Sequence, residues 1–327
     1  MNIVYIIVVN WNGWKDTIEC LESLLLLDYT DFRIVVCDNG SQDESIIRLR
    51  DWGEQKFGTN SSTWQVLGRS DIELRCFSPK ALFTIVENVE NFGFAGGTNV
   101  GLKYAISCGD AEFCWLLNND TVVDSFALTA LVNRMSKKKD ASMCGSTLRH
   151  YYNRSSIQAL GGAIYFKWLG VAWHLGRTMN GDKLPDEDLV EKKMDYVIAA
   201  SLLVRSSYLH EVGLMAEDYF LYFEEIDWVF RGQGRYSLAY ASQSIVFHKV
   251  GASIGTTTNP LRKNCQSDYY TLRNRIIFTR RYFPSGLPSV YFFLIIEMII
   301  RLLTGRIDLA VMTWRLIRTG GTGEGII

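Results

Sequence analysis

Proline is scarce in this chain, with five among 327 residues, and the seven cysteines (20, 37, 76, 108, 114, 144 and 265) include no CxxC pair. So few prolines leave little room for rigid linkers, and cysteines without a regular framework argue against both zinc sites and disulfides. Reduced, packed thiols of a cytoplasmic protein are the expectation. No basic n-region precedes the opening MNIVYIIVVNWNG, whose apolar run has the length of a strand rather than of a signal peptide. No clean apolar stretch reaches the roughly 20 residues that span a bilayer. The nearest, LPSVYFFLIIEMIIRLL at 287–303, contains Glu297 and Arg301 and reads as a helix lying on a surface. GxGxxG and GxxxxGK[ST] are both missing, which disfavours classical dinucleotide and P-loop chemistry.

What is present is the composition of an ordinary folded protein, 48% hydrophobic and 21% charged, with 27 glycines for tight turns. The net charge of −1 conceals an asymmetry. Residues 262–318 hold ten basic and three acidic residues, a charge of +7, so the rest of the chain carries about −8. A basic tail on an acidic body suits an anionic partner, either a phosphorylated substrate or a membrane surface. No nucleic-acid partner is expected.

The N-terminal half alternates short apolar runs with helical patterns. IVYIIVV (3–9) is a buried, parallel-type strand, and TIECLESLLLL (17–27) follows as a helix. FRIVVCD opens a second strand, after which Asp43 and Glu44 can start a helix. FTIVEN (83–88), NVGLKYAIS (99–107) and EFCWLL (112–117) continue as strand, helix and strand. Such an order predicts an open, mostly parallel α/β sheet with a ligand beyond the carboxyl ends of its strands. Segments 51–79 and 146–194 read as irregular, the first as an inserted loop and the second as a cover over one side of the cleft. YVIAASLLV (196–204) and RYSLAYASQSIVFH (235–248) supply further strands. A catalytic domain over 1–258, divided near residue 125 into donor and acceptor halves, and a basic helical extension over 259–327 are expected.

Polar groups gather where these strands end: Asn10 and Asn12, Asp38, Asn91, and Asn118-Asn119-Asp120. Each alone is also what an ordinary turn looks like, but parallel strands bring all four ends to one edge. The loop NFGFAGGTN (91–99) either wraps a phosphorylated ligand with bare backbone or simply turns into a helix. In YFLYFEEIDWVFRG (219–232), aromatics surround Glu224, Glu225 and Asp227. Carboxylates against an apolar wall suit general-base work, and the same acids also fit the first turn of a helix with Arg231 pairing Asp227. His248, one of four histidines, follows a strand and precedes a glycine turn, as a metal or phosphate ligand would.

Taken in order, VVNWNGWKDTIECLESLL, VVCDNGSQDES, ENFGFAGGTNVGL, WLLNNDTVVD, YFLYFEEIDWVFRG, HKVGAS and YYTLRNRIIF resemble the family 2 inverting glycosyltransferases of GT-A fold, in particular the rhamnosyltransferase-like branch. The resemblance runs from residue 4 to about residue 278. It implies that Asp38 binds the nucleobase, with Asn10 and Asn12 nearby, and that Asn91, Gly96 and Gly97 line the donor pocket. It implies that Asn118-Asn119-Asp120 stands where a DxD motif holds Mg²⁺ or Mn²⁺ on the nucleotide diphosphate, with His248 beside it. Glu225 and Asp227 fall on the catalytic acids of that branch, Glu225 where Asp is usual, and Arg273 and Asn274 on a C-terminal Arg-Asn pair near the phosphates or the acceptor. Asn118 in place of the first Asp removes one anionic ligand and predicts weaker metal binding.

The implied reaction moves a sugar from a dTDP- or UDP-sugar, dTDP-rhamnose first, to a hydroxyl of a glycan or polyprenyl-diphosphate-linked glycan at the inner face of the membrane. Peripheral membrane contact through 287–318, or docking of that segment on the catalytic domain or on a second copy in a homodimer, follows from its amphipathic pattern. Two other classes compete. A nucleotidyltransferase usually opens with a glycine-rich basic phosphate loop, which IVVNWNGWKD lacks. A non-catalytic sugar-nucleotide or glycan-binding relative has no need of Asp120, Glu225, Asp227 and His248 together.

Overall fold

A computed structural model describes residues 2–59, 62–75, 77, 81–181, 183–250 and 265–322. Its N-terminal half winds strand and helix alternately: β1 (Ile3–Asn10), α1 (Trp14–Leu24), β2 (Phe32–Asp38), α2 (Ser45–Phe57), β3 (Trp64–Gly68), the short α3 (Arg69–Glu73), β4 (Phe83–Glu87), α4 (Gly93–Cys108) and β5 (Ala111–Asn118). The four apolar runs read as parallel strands pair as such, in the order β4-β2-β1-β5 with β3 added at the edge. Val4, Ile6 and Val8 are fully buried, as are Tyr5 and Ile7 between them, because helices cover both faces of a parallel sheet. Segment 51–79 is not the loop expected. It completes α2 and carries β3 and α3, whose polar, short stretches leave little periodicity to read.

Beyond β5 the chain makes β6 (Thr121–Val123), α5 (Ala127–Lys137), β7 (Ala141–His150), β8 (Asn153–Leu160), β9 (Gly162–Phe166), β10 (Val171–His174), α6 (Glu187–Glu191), β11 (Tyr196–Val197), β12 (Ser201–Arg205), α7 (Ser206–Glu211), α8 (Glu224–Arg231) and β13 (Ser237–His248). Strand β12 runs antiparallel between β5 and β7, so the large sheet is mixed: β3-β4-β2-β1-β5-β12-β7-β13-β6, with β8 on β7. A second sheet, β10-β9-β11, stands beside it. Segment 146–194, expected to be irregular, therefore holds the end of β7, the three strands β8, β9 and β10, and a helix. Strands β8 and β10 are partly exposed and pair antiparallel with their neighbours, and the bend between β8 and β9 needs glycine, since Gly161 sits at φ 68° and a Cβ there would lie 2.7 Å from Tyr240 Cδ2.

The tail forms α9 (Cys265–Tyr282), α10 (Leu287–Leu303) and α11 (Ile307–Thr319). Helix α9 is shared between two cores. Its Phe278 packs into the main one, while Tyr269, Leu272 and Ile276 join Val290, Leu294, Leu309, Met312 and Leu316 in a second. The expected boundary near 258–259 lies outside the described residues.

Candidate functional site

The parallel register sets the polar strand ends side by side, with Asn10 opposite Asp38 and Val9 opposite Asn118. Along this edge opens a cleft of about 420 Å³, walled by Val9, Trp11, Asn39 and Asn91 on one side and by Asn118-Asn119-Asp120 and His248 on another. Its far wall is the loop before α8 together with Glu224 and Glu225, and Ile198–Ala200 between β11 and β12 complete it.

Not all the expected residues face this space. Asn10 and Asp38 are buried and spend their polar atoms on each other: Asn10 Nδ2 donates to Asp38 Oδ1 at 2.6 Å, and Ser41 donates to both Asp38 oxygens, from Oγ at 2.6 Å and from its backbone N–H at 3.0 Å. Asn12 sits exposed at φ 51°, its Oδ1 accepting from the backbone N–H of Gln42 at 2.8 Å. These three residues build the turn that presents Trp11 and Asn39, and do not line the cleft themselves. Gly96 and Gly97 lie in the first turns of α4, facing protein. A Cβ on Gly97 would meet Val9 Cγ1 at 2.9 Å, and one on Gly96 would meet Phe92 Cβ at 2.5 Å. Glycine is there to let the helix approach the sheet. The leading amides of α4 are already used, Gly93 N–H by Asn91 Oδ1 and Phe94 N–H by the Phe220 carbonyl. The bare-backbone reading of this loop therefore gives way to the helix start.

At the end of β5 the picture is different. Asp120 and His248 are both buried, and His248 Nε2 lies 3.1 Å from Asp120 Oδ1. The other ring nitrogen, Nδ1, lies 2.9 Å from Gln158 Oε1, an acceptor, which requires the proton on Nδ1. In the neutral ring Nε2 then presents a lone pair toward a carboxylate oxygen. Two acceptors aimed at one point are the donor set of a divalent cation, with Gln158 fixing the tautomer as outer partners of metal-bound histidines do. Asn118 Nδ2 lies 3.5 Å from the same Nε2. Among the described residues no cluster of three His, Cys, Asp or Glu exists. The corner could thus offer a cation two protein ligands, the remaining positions falling to oxygens of a ligand and water, a donor set that fits Mg²⁺ or Mn²⁺. Asn119 faces inward, donating to Thr17 Oγ1 at 3.0 Å.

The opposite wall is built under strain. Phe220, Tyr222 and Phe223 have φ of 64°, 67° and 76°, which bulky residues rarely adopt. One side chain holds them there: Asn274 of α9 donates from Nδ2 to the carbonyls of Tyr219, Leu221 and Tyr222 at 2.9, 2.8 and 3.0 Å. Gly93 at φ 72° completes the clasp, since a Cβ there would lie 2.2 Å from the Phe220 oxygen. The loop feeds straight into α8, whose first residues are Glu224 and Glu225. Burial pushes Glu225 up to about 7, and Glu224, buried beside it, is raised further by burial and by its neighbour's charge. Glu224 Oε2 has no hydrogen-bond partner among the described residues.

Asp227, two residues on, turns the other way. A helix advances about 100° per residue, so the second carboxylate lies on the opposite face. It is fully buried and accepts from Arg231 Nε at 3.0 Å, Arg281 Nη1 at 2.8 Å, Tyr282 Oη at 2.8 Å and Tyr219 Oη at 3.1 Å. Held by four donors, this carboxylate anchors α8 to α9 and does not line the cleft. Arg273 also points elsewhere, donating to the Asp218 carbonyl at 2.9 Å and to Asn274 Oδ1 at 2.7 Å. Trp11, Asn39, Gln158 and His174 also line the cleft, Gln158 orienting His248 as well, and none of them stood out as a site residue in the sequence, whereas the loop 220–223 falls within the aromatic stretch that did. The one signal available was position: Trp11 and Asn39 immediately follow strand ends.

A mixed, mostly parallel sheet flanked by helices, with a polar cleft at the carboxyl ends of its strands, is the GT-A architecture of nucleotide-diphosphosugar transferases. The comparisons agree. Residues 5–59, which hold β1 to α2, match the model of glycosyl transferase family 2. Among solved structures, GalNAc-T7 with UDP, GalNAc and Mn²⁺ superposes with a TM-score of 0.63 at 14% identity, over 89% of this chain and 50% of that one. The mannosyltransferase PcManGT from Pyrobaculum calidifontis, in complex with GDP-Man and Mn²⁺, gives 0.55 at 15% identity, over 97% and 84%. TarS 1-349 of S. aureus gives 0.51 at 14%, over 84% of this chain and 64% of its own length. The chain thus spans under two thirds of two of these relatives. A search of curated proteins found no match. Fold and matched segment together are those of glycosyltransferase enzymes.

Proposed function

We propose that this chain is a divalent-cation-dependent, inverting glycosyltransferase of the rhamnosyltransferase-like branch. It would move a sugar from a nucleotide diphosphate, dTDP-rhamnose first and UDP-sugars next, to a hydroxyl of a glycan acceptor in cell-surface polysaccharide synthesis. The observation that carries the reading is that a cation-fitting acceptor pair, Asp120 and His248, and a raised carboxylate, Glu225, wall the same cleft. Two structural neighbours support the donor class, one holding GDP-Man with Mn²⁺ and the other UDP with Mn²⁺.

Asp120 and His248 would hold the cation. When bound, it would neutralise charge on the departing diphosphate. Trp11 and Asn39, at the ends of β1 and β2, flank the region for the nucleoside, where an aromatic face suits a base. Asp38, Asn10 and Asn12 act through the turn they build. Glu225, with an affinity for protons near neutrality, takes the proton from the acceptor hydroxyl as that oxygen attacks the anomeric carbon. The bond to the diphosphate oxygen breaks on the opposite face, so configuration inverts in a single displacement and no sugar is attached to the enzyme. Asp227, Asn274 and Arg273 hold the base in place from behind.

The test is release of nucleoside diphosphate by the purified chain from a panel of dTDP-, UDP- and GDP-sugars, with Mn²⁺ and with chelator. Slow Mn²⁺-dependent release from one donor, accelerated by acceptor, is expected. Binding with no release from any donor, even with acceptor present, supports a non-catalytic sugar-nucleotide binder instead, and conversion of a donor with added pyrophosphate into nucleoside triphosphate and sugar 1-phosphate supports a nucleotidyltransferase.

A further inference from the structure

A second cavity, of about 630 Å³, adjoins the first, and Glu225, His174, Tyr222 and Thr271 line both. The candidate base therefore stands where the two spaces meet. We infer that this cavity seats the sugar to be glycosylated and that this sugar is acidic. Its carboxylate is bridged by one edge of the Arg275 guanidinium, while a hydroxyl of the same or the adjacent ring reaches Glu225. This inference rests on the glycosyltransferase reading of the cleft.

Arg275 of α9 lines the cavity and is only 4% exposed. Its Nη1 donates to Glu297 Oε1 at 2.7 Å, but its Nε–H has no acceptor among the described residues. A guanidinium presents Nε–H and an Nη2–H along one edge, the pair that a carboxylate bridges with two parallel bonds. The bond to Glu297 uses the other terminal nitrogen and leaves that edge to a ligand. A glycine keeps the space beside it: Gly170, in the β9–β10 turn, sits at φ 66°, and a Cβ there would lie 3.0 Å from Nε. A buried charged donor without an acceptor costs free energy until a ligand oxygen completes it. Tyr165 Oη, buried on the same wall, lies near Thr279 without the geometry of a hydrogen bond. It offers a sugar hydroxyl a second partner.

Charge decides the kind of anion. The lining holds three arginines, Arg275, Arg301 and Arg306, and three carboxylates, Glu225, Asp268 and Glu297. His174 adds none, because burial lowers it to about 4 and keeps the ring neutral. Arg301 is engaged elsewhere, pairing with Asp268 at 2.7 Å and donating to Thr313 Oγ1 at 2.6 Å. A balanced wall with one unfilled arginine edge accepts the single charge of a carboxylate more readily than the charge of about two on a phosphate monoester, which would press on Glu225 and Glu297. The remaining wall includes Tyr196, Tyr222 and Phe223, the aromatic lining on which a ring with a few polar groups packs.

Ligand-observed NMR titration of the full chain, with no donor present, tests this without any turnover, so it can fail while nucleoside diphosphate release succeeds, and the reverse. The probes are the methyl glycosides of glucuronic, galacturonic and mannuronic acid, the neutral hexosides of the same configurations, and the corresponding hexose 6-phosphates. One uronide should bind about tenfold tighter than its neutral counterpart, and tighter than the phosphate. Arg275→Gln should erase that preference, with a cooperative thermal transition reporting an intact fold. Glu297→Gln decides the matter should that variant not fold: it relieves Arg275 of a competing carboxylate and should tighten the uronide by about threefold. Equal binding of uronides and neutral hexosides overturns the inference, as does tighter binding of a 6-phosphate or no binding of any probe. A preference that survives Arg275→Gln, or a Glu297→Gln variant that fails to tighten the uronide, overturns it as well.

Discussion

Replacing Glu225 by Gln should destroy transfer and at the same time make the protein more stable. Burial raises this carboxyl from 4.5 to about 7. A group whose folded-state value lies above its unfolded one gives its full stability below the unfolded value and loses it as pH rises through the folded one. At pH 8 the ionised carboxylate therefore costs up to roughly 3 kcal/mol relative to a neutral side chain of the same shape. Gln is that side chain, and it also ends the repulsion with Glu224. At about 2 °C per kcal/mol, Tm at pH 8 should rise by roughly 5 °C. The gain should shrink as pH falls through 7 and vanish near pH 4.5. Wild-type transfer should show the same group from the other side, rising with pH, about tenfold per unit below 7, to a plateau above it. Thermal denaturation across pH and nucleoside diphosphate release measure the two. A variant that loses both activity and stability was merely damaged, and one that keeps activity shows that Glu225 is not the base.

Asp120→Asn should leave Tm nearly unchanged in the absence of ligand and remove both transfer and any Mn²⁺-dependent thermal shift; a retained shift would move the cation elsewhere. Asp227→Asn should destabilise by about 3–5 kcal/mol, since it strands Arg231 and Arg281 without their buried charge, read by denaturant unfolding. Asn274→Leu takes donors from three carbonyls that hold a strained loop and should cost about 2–3 kcal/mol, with protease cleavage appearing near residues 219–223. Full stability in that variant would show that the loop holds itself.

The central strands were legible because parallel strands covered on both faces read as unbroken apolar runs, as IVYIIVV and EFCWLL do. Strands β8 to β10 were not, since half-exposed antiparallel strands with a glycine bend mix polar and apolar residues without a clean alternation. The polar strand ends were recognisable as a group, but the direction of each side chain was not. Asn10 and Asp38 face one another in register and satisfy each other, whereas Asp120 meets His248 from a strand 128 residues later (248 − 120), a contact only the fold creates. Glu225 and Asp227 show the same limit in miniature. Both sit in an aromatic-rich acidic stretch, and only the helix they share, with Arg281 and Tyr282 arriving from α9, separates the carboxylate facing the cleft from the one holding the helix.

The claim on which the rest depends is that the cleft at the carboxyl edge binds a nucleotide-sugar through a cation at Asp120 and His248. A thermal-shift titration of the purified chain with dTDP-, UDP- and GDP-sugars, with and without Mn²⁺, tests it directly. Ligand at about 100 times its Kd stabilises by roughly 2.7 kcal/mol, ample to detect. One donor should raise Tm when Mn²⁺ is present and do little without it, and the same donor should fail with Asp120→Asn. No shift with any donor, or a shift indifferent to Mn²⁺ and to Asp120, would contradict the account.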